Sequence, residues 1–378
     1  MNQLLEQAKE NKRLLVAATA ILIPAAIIVL AIFRIRAADP VETIAVNWTA
    51  SAHANYTSQS FTYWHEDNPP LIPADCAACH SLHGVLDRVG ERGTPAGSVS
   101  QDMPIGTVVS CVACHNDTVH QMNRVEFPSG EVVDALGSEA ACLLCHQGTS
   151  SSDEVNQAIS GLDDDAVDDS LEFINVHYHI AAATLMGTTA RVGYQYPGQS
   201  YVGRFDHTPD FQTCDSCHNP HDLAINPLEC SACHVHVTDR ADLRLIRNDP
   251  RDYNGDGDTD QGIAVEINTF HVSLYEALQA YADDVIGTPL VYSADDFPYF
   301  FVDVSDNGQV DTAVFNFDNR YTEWTPRLVR AAYNYHFVQK DPGAFSHNPS
   351  YVLQLLYDSL VDLNERVPVD VNRFQRPP

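Results

Sequence analysis

Lysine is almost missing from this chain: 378 residues contain three, at Lys9, Lys12 and Lys340. Lys and Arg together number 21 against 51 Asp and Glu, a formal charge of −30. Nucleic-acid binding is excluded, because it needs clustered Lys/Arg to neutralise phosphates. A basic membrane-surface or heparin patch is excluded on the same ground. Methionine is scarce, with 4 residues, and every cysteine falls inside one short recurring pattern. No lone thiol remains for other chemistry. The chain is not poor in apolar residues, at 44%, so global disorder is excluded and a packed core is expected. Length suggests two domains.

Residues 14–33 read LLVAATAILIPAAIIVLAIF, with no charge. At 1.5 Å per residue such a helix spans roughly 30 Å, the thickness of a bilayer core. Pro24 is tolerable there. Lys9, Lys12 and Arg13 precede the run, and Arg34 and Arg36 follow it, so charge alone orients it weakly. A cleaved signal peptide is the alternative. The run exceeds a usual signal core and no clean small-x-small site follows Arg36, which favours an uncleaved single-pass anchor behind a cytoplasmic tail, 1–13.

The ten cysteines form five CxxCH motifs: Cys76, Cys79 and His80; Cys111, Cys114 and His115; Cys142, Cys145 and His146; Cys214, Cys217 and His218; Cys230, Cys233 and His234. The pattern is that of covalent c-type haem attachment. Two thiols three residues apart reach the two vinyl groups of one porphyrin, and the next residue sets an imidazole under the iron. Zinc takes CxxC motifs in pairs, and five cannot all pair. Thioredoxin-like chemistry needs one motif in a βαβ setting. Five haem c groups are expected, with proximal ligands His80, His115, His146, His218 and His234. Such haems are attached outside the cytoplasm, so everything after Arg36 is expected on the extracytoplasmic face, periplasmic or outer.

First cysteines are 35, 31, 72 and 16 residues apart, which is no repeat period. Haems so dense form a contiguous chain almost whatever the fold, and the last two must nearly touch. Only Met103, Met122 and Met186 could offer a thioether beyond the anchor, whereas twelve histidines remain after the proximal five. Bis-histidine ligation is therefore expected throughout, and with it generally low potentials. The residues alone leave the distal set open. His221 lies three beyond His218 and must serve a neighbouring haem; His83 repeats that offset after His80. His120 follows His115 by five, His207 precedes Cys214, and His177 and His179 flank Tyr178. His65, His236, His271 and His336 carry no distinguishing context.

Several stretches carry a family likeness: Ser51-Ala52-His53-Ala54 ahead of Phe61-Thr62-Tyr63-Trp64, Phe127-Pro128-Ser129-Gly130, Cys145-His146-Gln147-Gly148 and Asn175-Val176-His177-Tyr178. Cys217-His218-Asn219-Pro220-His221 and Ala344-Phe345-Ser346-His347-Asn348 extend it. The chain resembles multihaem c-type cytochromes, in particular the membrane-associated polyhaem cytochromes of environmental bacteria. The resemblance implies distal ligands among the histidines of those stretches: His53, His177, His221 and His347, with His207 just before the fourth motif. His179, His83 and His120 stand as substitutes.

After Arg240 cysteine vanishes, which puts a boundary near 240–250 between a haem domain, 37–240, and a C-terminal domain, 241–378. Asp252, Asn254, Asp256, Asp258 and Asp260 alternate with Gly257 at the sixth position of an EF-hand-like loop, so calcium is expected. Position 12 is Ile263 where a Glu belongs, so Glu266 or another group must complete the shell. Asp303 to Asp311 echoes the pattern faintly. Apolar spacing predicts helices over 263–283, 326–338 and 349–363, the last with Asn348 as N-cap and Pro349 at N1. Residues 194–201 read as a hairpin about a Pro-Gly turn, and 150–170 as an acidic loop. The fold class expected is mainly α with extensive irregular loops.

The function expected is electron transfer from a membrane quinol-oxidising complex or another cytochrome to a downstream acceptor. No catalytic residue is required. Abundant Asp favours Fe(III) and offers a docking face to basic partners. A multihaem reductase of nitrite or another small oxyanion is the first alternative. It requires one open haem, and the lysine-bearing variant motif often found at such a haem is absent. A haem subunit of a larger respiratory or photosynthetic complex, or of a filament, is the second.

Overall fold

The computed structural model describes residues 40–378 except 136, 306 and 309–315, together with Met1, Lys12 and Ile23. The expected anchor at 14–33 therefore lies outside the described residues, apart from Ile23. No helix among those described is long and apolar enough to cross a membrane.

Among the described residues the architecture is mainly helical, with long irregular connections and three two-stranded antiparallel ribbons. Apart from the ten-residue helix Pro40–Thr49, the helices up to residue 240 run four to seven residues or are 3-10 turns, and the first cysteine of every CxxCH motif lies on one of them. Longer helices come after residue 260: α1 (Ile263–Tyr281), α2 (Pro326–Gln339) and α3 (Pro349–Leu363). Two of them start as their sequence demands. The Thr325 side chain accepts from Leu328 N and Asn348 from Tyr351 N, each followed by proline at N1. α1 ends two residues before the expected 283, where a π-helical turn, Ala282–Ile286, runs to Gly287 in the left-handed region.

α1 and α2 both pack on α3. Helix α2 is buried on every side, so its two arginines need internal partners. Arg327 meets Asp165 at 2.8 Å and also pairs with Asp362; Arg330 meets Asp164 at 2.7 Å and Asp362 at 2.8 Å. This corrects the acidic-loop reading of 150–170. That segment contains a helix, Ser152–Ala158, capped by Ser151, and its Asp164 and Asp165 fasten it to α2.

The hairpin expected at 194–201 is also corrected. Pro197 and Gly198 do form a turn, with Gly198 at φ +83°, but no ladder flanks it. Tyr196 N donates instead to the Tyr201 hydroxyl, and Asn334 of α2 takes up the backbone of Tyr194 on both its N–H and C=O. Side-chain partners, Asn334 from α2 and Tyr201 across the turn, replace a strand partner. One continuous apolar cluster runs from Val89 to Phe374 and includes residues from both sides of position 240.

Candidate functional site

Each CxxCH motif sits on one helical turn. Within it the histidine N–H bonds the first cysteine's carbonyl: His115 to Cys111, His146 to Cys142, His218 to Cys214 and His234 to Cys230, at 2.7–3.0 Å. His80 closes the helix Ala74–His80. A helical turn puts residues i and i+3 on one face, so both thiols point the same way. None of the ten cysteines is in a disulfide.

All fifteen motif cysteines and histidines line a single cavity of about 2770 Å³. Protein interiors pack as densely as organic crystals, so side chains alone do not account for such a space. Shared among five groups it gives roughly 550 Å³ each, within the 300–1,000 Å³ of an ordinary single-ligand pocket. The apolar face of the helix Pro40–Thr49 (Val41, Ile44, Ala45, Trp48) lines it too, although no residue of that helix is buried against protein. Trp48 Nε1 ties the helix down through Val109 O at 3.0 Å.

Every motif histidine faces another imidazole across this cavity. Ring centroids are 5.7 Å apart for His80 and His177, 6.2 Å for His115 and His221, and 6.3 Å for His146 and His53. They are 6.4 Å apart for His218 and His347, and 6.1 Å for His234 and His207. An imidazole nitrogen sits about 2.0 Å from a bound metal, which puts two opposed ring centroids roughly 6 Å apart. The donor set thus has the chemistry and the spacing for five bis-imidazole irons. His115 has a second neighbour at 6.2 Å, His120 from the next short helix, so distance alone does not choose between His120 and His221. The rings of His115 and His221 are nearly parallel, at 6°, against 62° for His120. His179 lines the cavity without opposing a motif histidine, and His83 does not line it; neither do Met103, Met122 and Met186.

Nδ1 contacts orient several of these rings. His80 donates to Ser60 O at 2.8 Å, His146 to His179 O at 2.7 Å, and His347 to the Asp341 carboxylate at 2.8 and 2.9 Å. Holding Nδ1–H in this way leaves Nε2 as the free lone pair, which is how a metal-bound histidine is fixed. Residues 175–179 manage two motifs at once, with His177 and His179 both at positive φ, uncommon for side-chain-bearing residues. Burial, with His80 nearby, lowers His177 to a pKa of about 4; burial, with His146 nearby, does the same to His53. Both are neutral at pH 7, as a metal ligand must be. Desolvation opposes ionising Asp341 and His347, but their attraction holds the carboxyl below and the imidazole above its ordinary range.

Thiol contacts give the motifs a spatial order. Cys145 of the third motif lies beside Cys79 of the first, and Cys142 beside Cys214 of the fourth. Cys114 of the second lies within electrostatic reach of Cys142, and Cys217 of the fourth within reach of Cys230 of the fifth. The third motif is thus central, flanked by the first, second and fourth, and the fifth follows the fourth. The neighbouring Cys145 thiol and the Arg88 guanidinium, 3.4 Å from Cys79 Sγ, favour the Cys79 thiolate, while the same pairing and burial push the Cys145 thiol up.

The loop at 252–260 is a run of backbone caps. Asp252 accepts from Gly255 N and Gly257 N, Asp258 from Asp260 N, and Asp256 takes the Gln261 side-chain amide. Glu266, fully buried, accepts from Asn254 N and pairs with Arg247 at 2.5 Å. No group of three or more His, Cys, Asp or Glu side chains that could hold a metal ion is found among the described residues. In the fainter second loop, Asp303 accepts from Asn307 N and Gly308 N, and Asp311 lies outside the described residues.

Sequence similarity points the same way as the cavity. The chain is 27% identical over 310 residues to the C-type polyheme cytochrome OmcB of Geobacter sulfurreducens, across 75% of this chain and 37% of that protein. It is 27% identical over 318 residues to the C-type polyheme cytochrome OmcC of the same organism, across 75% and 36%. The chain is a homologue of polyhaem c-type cytochromes. It spans little more than a third of the length of these relatives. No protein-family model matches it, and no solved structure does.

Composition and spacing signalled the motif residues but not those that orient them. Asp341 is one of 51 acidic residues and nothing in the sequence singles it out. The carbonyls of Ser60 and His179 carry no side-chain signal at all.

Proposed function

We propose that the chain is an electron-transfer protein holding five covalent haem c groups, each with two axial histidines. The pairs are His80 with His177, His115 with His221, His146 with His53, His218 with His347 and His234 with His207. The observation that carries this reading is the five imidazole pairs at 5.7–6.4 Å around one cavity lined by ten cysteines. Bound haem would supply one-electron Fe(III)/Fe(II) chemistry. The chain's own task is to hold the rings, exclude water and set local charge. Thiol adjacency favours a route through the first, third, fourth and fifth motifs, with the second beside the third.

In this reading residues 14–33 anchor the chain and the haem region lies on the extracytoplasmic face. Electrons come from a membrane quinol-oxidising complex or another cytochrome. A net charge of −30 suits a basic partner. The reductase alternative needs an iron with an open distal position, and an imidazole opposite each motif histidine speaks against one. Calcium at Asp252, Asn254, Asp256, Asp258 and Asp260 is a subsidiary part of the proposal. Its binding would free Asp256 from the Gln261 amide, and added calcium should raise the melting temperature of the wild type but not of Asp256→Ala.

The test of the main reading is a pyridine haemochrome assay with intact mass on the full chain expressed with its haem-attachment machinery. Five haems per chain are expected. A stable product carrying four or fewer would overturn the count.

A further inference from the structure

The five histidine pairs are not equivalent in what stands behind them. Three motif histidines direct Nδ1 at a neutral backbone carbonyl: His80 at Ser60 O, His146 at His179 O, and His218 at Leu223 O, the last at 3.5 Å. Of the ten paired imidazoles, only His347 meets a carboxylate among the described residues. Asp341 places both oxygens on its Nδ1, at 2.9 and 2.8 Å, and is itself buried, its side chain only 2% exposed.

The arrangement is built from several directions. Gly343 N donates to Asp341 Oδ1 at 3.0 Å, and the Thr184 side chain, whose hydroxyl donates to Ile180 O, stands beside the same carboxylate. Residue 343 has to be glycine, since a Cβ there would stand 2.5 Å from His347 Cε1. The short helix Ala344–His347 then carries the ring to 6.4 Å from His218. Asp341 also lies within electrostatic reach of His218 and of His146.

We propose that Asp341 is a positioning residue that, through His347, makes the haem of the fourth motif the lowest-potential site of the five. The inference rests on the bis-histidine reading above. A carboxylate accepting from the far nitrogen raises the basicity of the nitrogen facing the iron, and outer partners of this kind tune metal sites. Reduction adds one electron and no proton to the iron. A buried negative charge opposes that step, and the low local dielectric leaves it little screened. Electrons arriving from the third motif therefore meet an uphill step before the fifth.

The test is a spectropotentiometric titration, with dithionite as reductant, of the full holoprotein and two variants. In Asp341→Asn the amide oxygen can still accept from Nδ1 but the charge is gone. One midpoint should rise by at least 59 mV, a tenfold change for a one-electron couple, with a smaller rise at the third motif. In Thr184→Val the carboxylate loses a polar neighbour that draws on its charge, so the same midpoint should move the other way. Five unmoved midpoints in Asp341→Asn, or five moving equally, would overturn the proposal. Should that variant fail to fold, Thr184→Val decides by the sign of its shift, and no shift or an upward one overturns it. Failure of the underlying reading looks different: His347→Ala would leave every haem low-spin.

Discussion

At the residue scale the site depends on which imidazole nitrogen is kept free. Local spacing made the motif histidines legible, because cysteine, cysteine and histidine share one helical turn. The opposing histidines were not legible from spacing. His347 comes from the far end of the chain and His53 from before the first motif, and only long-range folding sets them beside His218 and His146. His115 provides the sharpest residue-level test, since His120 and His221 both stand 6.2 Å from it. With His221 as its partner, His221→Ala should convert one haem in five to high spin, and His120→Ala should leave all five low-spin. Electronic absorption and EPR read both. Lys340, the one lysine beyond the N-terminal tail, gives a pH test. Burial lowers its pKa to about 8, and its ammonium lies over the Tyr178 and Tyr299 rings. Between about 8 and the ordinary 10.5 the unfolded chain binds the extra proton, so this group's contribution to stability rises with pH across that window. It is lost as pH falls through 8. The melting-temperature difference between wild type and Lys340→Met should therefore depend on pH over that range, and a constant difference would refute the assignment.

At the element scale, the three long helices were legible because apolar spacing marks each of them, and at 326 and 349 a capping residue followed by proline agrees with it. The segments that departed from expectation did so for one physical reason: their partners are side chains, most of them remote in sequence. Asp164 and Asp165 look like solvated charge until Arg327 and Arg330 arrive from a helix buried on all sides. Tyr194 and Tyr196 alternate like a strand, yet Asn334 and Tyr201 take the place of a ladder. The arginine–aspartate network should matter to stability, because removing one partner of a buried pair leaves an uncompensated charge. Asp362→Ala, which strips a carboxylate from both Arg327 and Arg330, should cost about 3–5 kcal/mol. Urea unfolding followed by haem absorbance and far-UV circular dichroism would check this. A loss below 1 kcal/mol would mean the pair is dispensable.

At the scale of the whole molecule, five short motif turns surround one cavity, α3 lines it at Pro349, Ser350 and Leu353, and a single apolar cluster joins the motif region to the three long helices. That arrangement suits a wire: donors fixed on rigid local turns, opposing ligands brought in from distant segments, and a strongly acidic exterior. Every part of the electron-carrier reading depends on each iron being closed on both faces. A carbon-monoxide difference spectrum of the dithionite-reduced holoprotein, scaled to total haem, tests this most directly, because CO binds ferrous haem where the sixth position is open. No spectral shift is expected from any of the five haems. A shift amounting to about one haem in five would show an open iron, contradict the five-pair assignment and favour a reductase.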